Sequence, residues 1–146
     1  MKISEVNEKN IEAVIRSNPY GWAGKIAEQH PNLILKILKF CRLGELTDVL
    51  KVVPSEMVLQ VVEERPDSSY FFVTKFSNQT VEILKTLTEK TDDEIRLRVH
   101  FNFIIQEVSA EVALKIVKAF PERIGWIWDI RPSIRNEVEK IFKLED

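Results

Sequence analysis

The chain is short of the residues on which many kinds of site depend. It has one cysteine, four glycines and two histidines among its 146 residues. A lone cysteine, Cys41, cannot form an internal disulfide or a thiolate metal site, and so few glycines cannot build a glycine-rich phosphate loop. No H-x-x-x-H, C-x-x-C or H-E-x-x-H spacing occurs. We therefore expect no metal, no cofactor and no catalytic residue, and the sequence predicts a protein that is not an enzyme.

The chain also lacks a long apolar run and an excess of basic residues. No segment approaches the roughly 20 apolar residues of a membrane span, and the first residues, MKISEVNEKN, contain no signal-like apolar stretch. The formal net charge is −2, whereas proteins that neutralise many phosphates are usually basic. With 45% hydrophobic residues, we expect one cytoplasmic domain over residues 1–146 that has no membrane contact.

Residues that interrupt helices recur at regular intervals along the chain. A proline or serine falls about every 11 or 12 residues in several stretches, and each one opens a short apolar-rich segment. These residues are Pro19, Pro31, Pro54, Pro66, Ser77, Pro121 and Pro132. Regular spacing of this kind indicates an array of short helices.

Two segments can be superimposed residue by residue. Residues 56–67 read EMVLQVVEERPD and residues 111–122 read EVALKIVKAFPE, and each is followed by an aromatic segment, YFFVTKF at 70–76 or IGWIWDI at 124–130. The unit is a helix, a break, a shorter aromatic segment and a second break, roughly 23 residues in all. This pattern predicts an all-α array of stacked helix pairs, a superhelix of the α-solenoid type. The stretch from Thr91 to Val108 departs from the period.

A mixed α/β repeat is the alternative fold. Residues 95–103, IRLRVHFNF, alternate apolar and polar side chains, as a half-buried strand does. Strands near 70–76, 95–103 and 124–130, with helices between them, would then form a parallel sheet. The alternation fails beyond Phe103, where the apolar positions up to Val108 suit a helix, so we favour the all-α array.

The stretch ELTDVLKVVPSEMVLQVVEE at 45–64 resembles known α-helical repeat families. It is similar to the helical N-terminal domain of MgtE-type magnesium transporters and to the middle domain of the flagellar switch protein FliG. The wider pattern of short helices, each opened by Ser or Pro with an acidic residue, resembles leucine-rich-variant and HEAT-like repeats. The resemblance implies a right-handed superhelix of helix pairs that makes contacts with other proteins. It implies no functional residue.

Aromatic and basic side chains are the best candidates for an interaction surface. In a helix, Trp126 and Trp128 are separated by about 200° around the axis, so we expect one of them to face outward. Core packing of these aromatics is the alternative. The candidate residues are Trp22, Tyr70, Arg96, Arg98, His100, Arg123, Trp126, Trp128 and Arg131.

Three functions remain open at this point, in decreasing order of support. The first is a protein–protein interaction or scaffold module, with self-association into a homo-oligomer as a variant. The second is binding of nucleic acid through a local basic face of Arg96, Arg98 and His100. The third is a small hydrolytic enzyme that would use His100 with the acidic run Asp92–Glu94, although such a run before an apolar segment is typical of the start of a helix.

Overall fold

Every regular element is helical in a computed structural model, which describes residues 2–17 and 21–145 and, within the last helix, no side chain at 137, 138 or 141–145. No strand occurs among these residues. The helices are α1 Ile11–Ser17, α2 Trp22–Gln29, α3 Ile34–Phe40, α4 Leu43–Leu50, α5 Val58–Glu64, α6 Ser69–Lys75, α7 Thr80–Lys90, α8 Glu94–Glu107, α9 Ala110–Ala119, α10 Ile124–Ile130 and α11 Pro132–Glu145. The all-α prediction is confirmed. The α/β alternative is wrong, because residues 70–76, 95–103 and 124–130 fall in α6, α8 and α10.

Five helices end at a residue with the same unusual backbone conformation. These five break residues have φ between −125° and −139° and ψ between 62° and 84°. They are His30, Arg65, Phe76, Phe120 and Arg131. Proline follows all of them except Phe76, which precedes Ser77. The ring of a proline disfavours the α conformation in the residue before it, which explains why four of the five helices end here. Pro19, another expected break, lies outside the described residues.

The chain turns sharply after each break residue and starts a new helix. At all five breaks the break residue's carbonyl accepts a hydrogen bond from the third N–H along, as in Ser68 to Arg65 at 2.9 Å. A one-turn 3₁₀ segment follows four of the breaks, and another precedes α5. Serine and threonine hydroxyls also donate backward here: Ser68 Oγ lies 2.6 Å from the same Arg65 carbonyl oxygen. Ser109 instead accepts the Val112 N–H at 3.3 Å and caps α9.

The short helices bury their apolar faces against the second helix along the chain. The chain divides into two compact units, residues 1–71 and 72–146. Within the first unit α1 packs on α3, α2 on α4 and α3 on α5, and within the second α7 packs on α9, α8 on α10 and α9 on α11. Isolated helices of seven residues are unstable in water, so this packing is what sustains them. The expectation of a single domain is not tested by the division and stays a prediction.

Three of the break residues reach back with their side chains to main-chain carbonyls. Arg65 Nη1 donates to the Leu38 carbonyl at 2.9 Å, and Arg131 Nη1 donates to the carbonyls of Ile105 at 3.1 Å and Val108 at 2.6 Å. The last carbonyls of a helix have no partner within it, and a cation there also suits the helix dipole. Arg65 therefore ties the end of α5 to the end of α3, and Arg131 ties the end of α10 to that of α8.

The third such contact joins a helix end to the N-terminal turn. His30, at the end of α2, lies with Nε2 3.0 Å from the Ile3 carbonyl oxygen and donates to it. Ile3 belongs to a 3₁₀ turn at Ile3–Glu5, which packs on α2. His30 and the two arginines thus make the same kind of link at 23 to 27 residues' separation along the sequence.

Helices α2 and α4 approach each other closely because of one glycine. A Cβ atom on Gly24 would lie 3.0 Å from Asp48 Cβ and 3.3 Å from the Asp48 carbonyl oxygen, so a side chain here would require Asp48 to shift by a few tenths of an ångström. Beside this contact, the buried carboxylate of Glu45 accepts the Ala23 N–H at 3.2 Å. A carboxylate at the start of a helix is favoured by the helix dipole, which gives buried Glu45 a structural role.

We expect removal of the Arg131 side chain to destabilise the fold. Arg131→Ala leaves two helix-end carbonyls without their donor, which we expect to cost about 2 kcal/mol of unfolding free energy. Urea denaturation followed by circular dichroism measures this value. The matched control is Arg96→Ala, because Arg96 is largely exposed and its nearest carboxylate oxygen, on Asp93, lies 4.0 Å away. Equal losses in the two variants would contradict the structural role of Arg131.

Candidate interaction surface

Helix α8 carries apolar side chains on two opposite faces. The inner stripe, Leu97, Phe101, Ile104 and Ile105, is buried. The outer stripe consists of Ile95, Val99 and Phe103, which are 77%, 56% and 41% exposed. The outer residues are four positions apart, so they form one ridge along the helix. Among the described residues they are three of the four large exposed apolar side chains, the other being Leu43 in the first unit.

Packing of the inner stripe fixes the direction of the outer stripe. The Phe101 ring meets the Phe120 and Trp126 rings edge-on, with centroids 5.2 and 5.7 Å apart. Side chains two positions apart on a helix point about 200° apart, so burying Phe101 turns Val99 and Phe103 outward. The alternation that resembled a strand is thus the sum of two helical stripes.

A shallow depression lies beside the outer stripe. It has a volume of about 190 Å³ and is lined by Val99, Asn102, Phe103 and Gln106. Gln106 Nε2 donates to Asn102 Oδ1 at 3.0 Å, which holds the polar side of the depression together. An apolar cavity of about 150 Å³ can hold a benzene ring, so this depression has room for one aliphatic or aromatic side chain.

The arginines predicted to form a basic face each lie near a carboxylate. Arg98 is 3.4 Å from Asp129, and Arg96 is 4.0 Å from Asp93. His100, the third member of the predicted face, is half-buried. An anion would have to displace these carboxylates, so the arrangement gives little support to phosphate binding. Binding of nucleic acid stays an untested hypothesis.

Trp126 lies between two arginines. The Arg123 guanidinium is 4.3 Å from the centroid of the Trp126 ring, and that of Arg98 is 5.8 Å away. Arg123 also lies 3.4 Å from Glu94 at the start of α8. Such cation–π and ionic contacts contribute modestly where the groups are partly exposed. These contacts join α10, and the 3₁₀ turn before it, to α8. Three of the predicted surface residues, Arg98, Arg123 and Trp126, therefore lie together as one group.

Trp128 lies apart from that group on α10. It is half-buried like Trp126, and fully buried Ile127 lies between them in sequence. The Arg135 guanidinium lies 4.8 Å from the Trp128 ring centroid. Both tryptophan side chains are half-buried, so the expectation that one of the pair faces outward stays a prediction. Arg131 is likewise half-buried, and it binds the two carbonyls described above.

Trp22 and Tyr70 belong to the first unit and are both half-buried. Trp22 is the first residue of α2. Burial raises the pKa of the Tyr70 hydroxyl, and the negative charge of Asp67 raises it further. Tyr70 therefore remains a neutral phenol at physiological pH.

Little in the described part of the chain resembles a catalytic or metal site. Within residues 2–17 and 21–145, no three His, Cys, Asp or Glu side chains gather as metal ligands would. Asp93 Oδ1 accepts the Ile95 N–H at 2.9 Å and so caps α8. This cap is the role expected for the acidic run before that helix. No helix in this part of the chain is long and apolar enough to cross a membrane.

Comparison of the chain with protein-family models, with curated proteins and with solved structures finds no match in any of the three. The resemblance to helical repeat families is left untested by this result.

Sequence reasoning missed the outer stripe of α8 as a surface. The alternating run containing Ile95, Val99 and Phe103 is easily read as one face of a strand. The informative signal was two rows of apolar residues with four-residue spacing, one at 95, 99 and 103 and the other at 97, 101 and 105. A helix that is buried on one side exposes one of these rows.

We expect Cys41 to be a poor nucleophile. Burial raises the pKa of its thiol above the ordinary 9.0, an effect to which the Glu45 charge adds and which the Arg65 charge partly offsets. The rate of alkylation by iodoacetamide follows the thiolate fraction, so its rise with pH should level off above pH 9.0 in the folded protein and near pH 9.0 in urea. Because the raised pKa favours the neutral thiol, the thiol's contribution to stability is full below pH 9.0 and is lost as the pH rises further.

The single cysteine makes this alkylation experiment specific, since mass spectrometry reports one site only. Arg65→Ala should raise the thiol pKa further, because it removes the positive charge that lowers it. Native alkylation at pH 7 as fast as in urea would show an accessible thiol whose pKa is not raised, and would contradict this account.

Proposed function

We propose that the protein is a non-enzymatic module for protein–protein interaction, built from stacked helical hairpins of the α-solenoid type. The observation that carries the proposal is the exposed stripe of Ile95, Val99 and Phe103 on α8. Three aligned apolar side chains in water are unfavourable for a protein that works alone. They are favourable in one whose stripe is covered by another protein when it functions.

The size of the stripe suits recognition. Together the three side chains expose on the order of 300 Å² of apolar surface, which is comparable with the largest patch on an ordinary monomer and often functional. The adjoining depression offers a position for one anchoring side chain, and such anchors supply most of the energy of an interface. Polar Asn102 and Gln106 border the depression, as a rim of an interface requires.

The packing of alternate helices supports the hairpin-array part of the proposal. In arrays of helix pairs, each helix contacts the equivalent helix of the next pair, and the contacts α7–α9 and α8–α10 follow that rule within the second unit. The resemblance of the short-helix pattern to HEAT-like repeats, and of residues 45–64 to the MgtE N-terminal domain and FliG, agrees with this interpretation. A cytoplasmic location stays a prediction.

The test is a quantitative pull-down from the native host with three forms of the protein. Val99→Asp places a charge in the centre of the stripe, and a carboxylate loses hydration in an interface, so we expect recovery of the specific partner to fall at least about tenfold. Leu43→Asp is the matched control, because Leu43 is 80% exposed but lies in the first unit. It should retain the partner.

Circular dichroism and unfolding curves of both variants ensure that the comparison is made between folded proteins. If Val99→Asp retains every partner that the unchanged protein captures, the stripe is not the interaction surface. Equal losses in Val99→Asp and Leu43→Asp would likewise count against the stripe.

A further inference from the structure

The charges at the ends of the outer stripe indicate what kind of partner fits it. Most charged side chains around α8 are paired: Arg96 with Asp93, Arg98 with Asp129 and Arg123 with Glu94. Two exposed carboxylates have no ionic partner among the described residues. Asp92 lies just before α8 at the Ile95 end of the stripe, and Glu107 is the last residue of α8 at the Phe103 end. The stripe is therefore apolar along its length and negative at both ends.

A second copy of the chain is a poor occupant of this surface. If two α8 helices lay antiparallel along their stripes, Asp92 of one copy would approach Glu107 of the other. If they lay parallel, each carboxylate would approach its own equivalent. Both orientations bring like charges together, and like charges opposed across an interface are unfavourable. The apolar area also falls short of the roughly 800 Å² that each partner of a stable complex usually buries.

We propose that the outer stripe binds a short amphipathic helix of another protein, apolar on one face and basic at both ends. One large apolar side chain of that helix enters the depression between Val99 and Phe103, and lysine or arginine residues near its ends face Asp92 and Glu107. Docking of an amphipathic helix on an apolar surface is a common form of recognition, and its small area suits a transient complex. The inference depends on the proposed function, since it names the partner of the same surface.

Two synthetic peptides test the charge preference directly. Both are fluorescein-labelled, alanine-rich, 18 residues long and leucine-lined on one face; one has two lysines at each end, and the other has two glutamates. We expect the full-length protein to bind the lysine peptide about tenfold more tightly than the glutamate peptide at low salt, because the end charges attract one and repel the other. Fluorescence anisotropy measures both affinities.

Variants of the protein separate the apolar and ionic contributions. Val99→Asp should abolish binding of the lysine peptide, and Leu43→Asp should leave it unchanged. The double variant Asp92→Lys with Glu107→Lys should reverse the preference, so that the glutamate peptide binds more tightly. Added salt should narrow the difference between the peptides in every form of the protein.

Each contrary result has a distinct meaning. Equal binding of the two peptides, abolished by Val99→Asp, would overturn the basic partner and leave the interaction surface intact. Failure of both peptides to bind would overturn the amphipathic-helix partner, and the pull-down would then judge the interaction function separately. A dimer in light scattering that Val99→Asp dissociates would identify a second copy as the occupant and overturn the proposal.

Discussion

The fold depends on one backbone constraint: a proline forces the residue before it out of the helical conformation. Arg65 and Arg131 have a non-helical backbone and end α5 and α10, each of which has seven residues. Helices this short cannot persist alone, so each must bury its apolar face on another. The same two break residues then use their guanidinium groups to bind the carbonyls that end a neighbouring helix. Each of these residues therefore ends its own helix and stabilises the end of another.

Helix α8 matters because it escapes this constraint. No proline interrupts it, and it continues for 14 residues, twice the length of α10 on which it packs. Its inner stripe meets α10 through Phe101 and Trp126, and this contact orients the helix. Its outer stripe, Ile95, Val99 and Phe103, is exposed. The departure from the repeat between Thr91 and Val108 is therefore also the site of the exposed apolar surface on which our functional proposals depend.

The sequence predicted the local features well and the long-range ones poorly. The segment EVALKIVKAFPE at 111–122 predicted a helix followed by a break, and α9 ends at Ala119 before Phe120 and Pro121, because that signal lies within one segment. The contact of Arg131 with Ile105 spans 26 residues, and nothing in the local pattern indicates it. The outer stripe was missed as a surface because two rows of apolar residues, each with four-residue spacing, together produce the alternation that is typical of a strand. Which row faces outward depends on α10, so it required the tertiary structure.

Both functional proposals depend on one arrangement, in which α8 is a helix with a buried stripe and an exposed stripe. Paramagnetic relaxation of methyl groups by a soluble gadolinium chelate tests it most directly, because the effect depends on how closely solvent approaches each methyl. We predict strong relaxation at Ile95 and Val99 and weak relaxation at Leu97 and Ile105, with helical amide contacts throughout residues 94–107. Equal protection of Val99 and Leu97 in the monomeric protein would contradict the account.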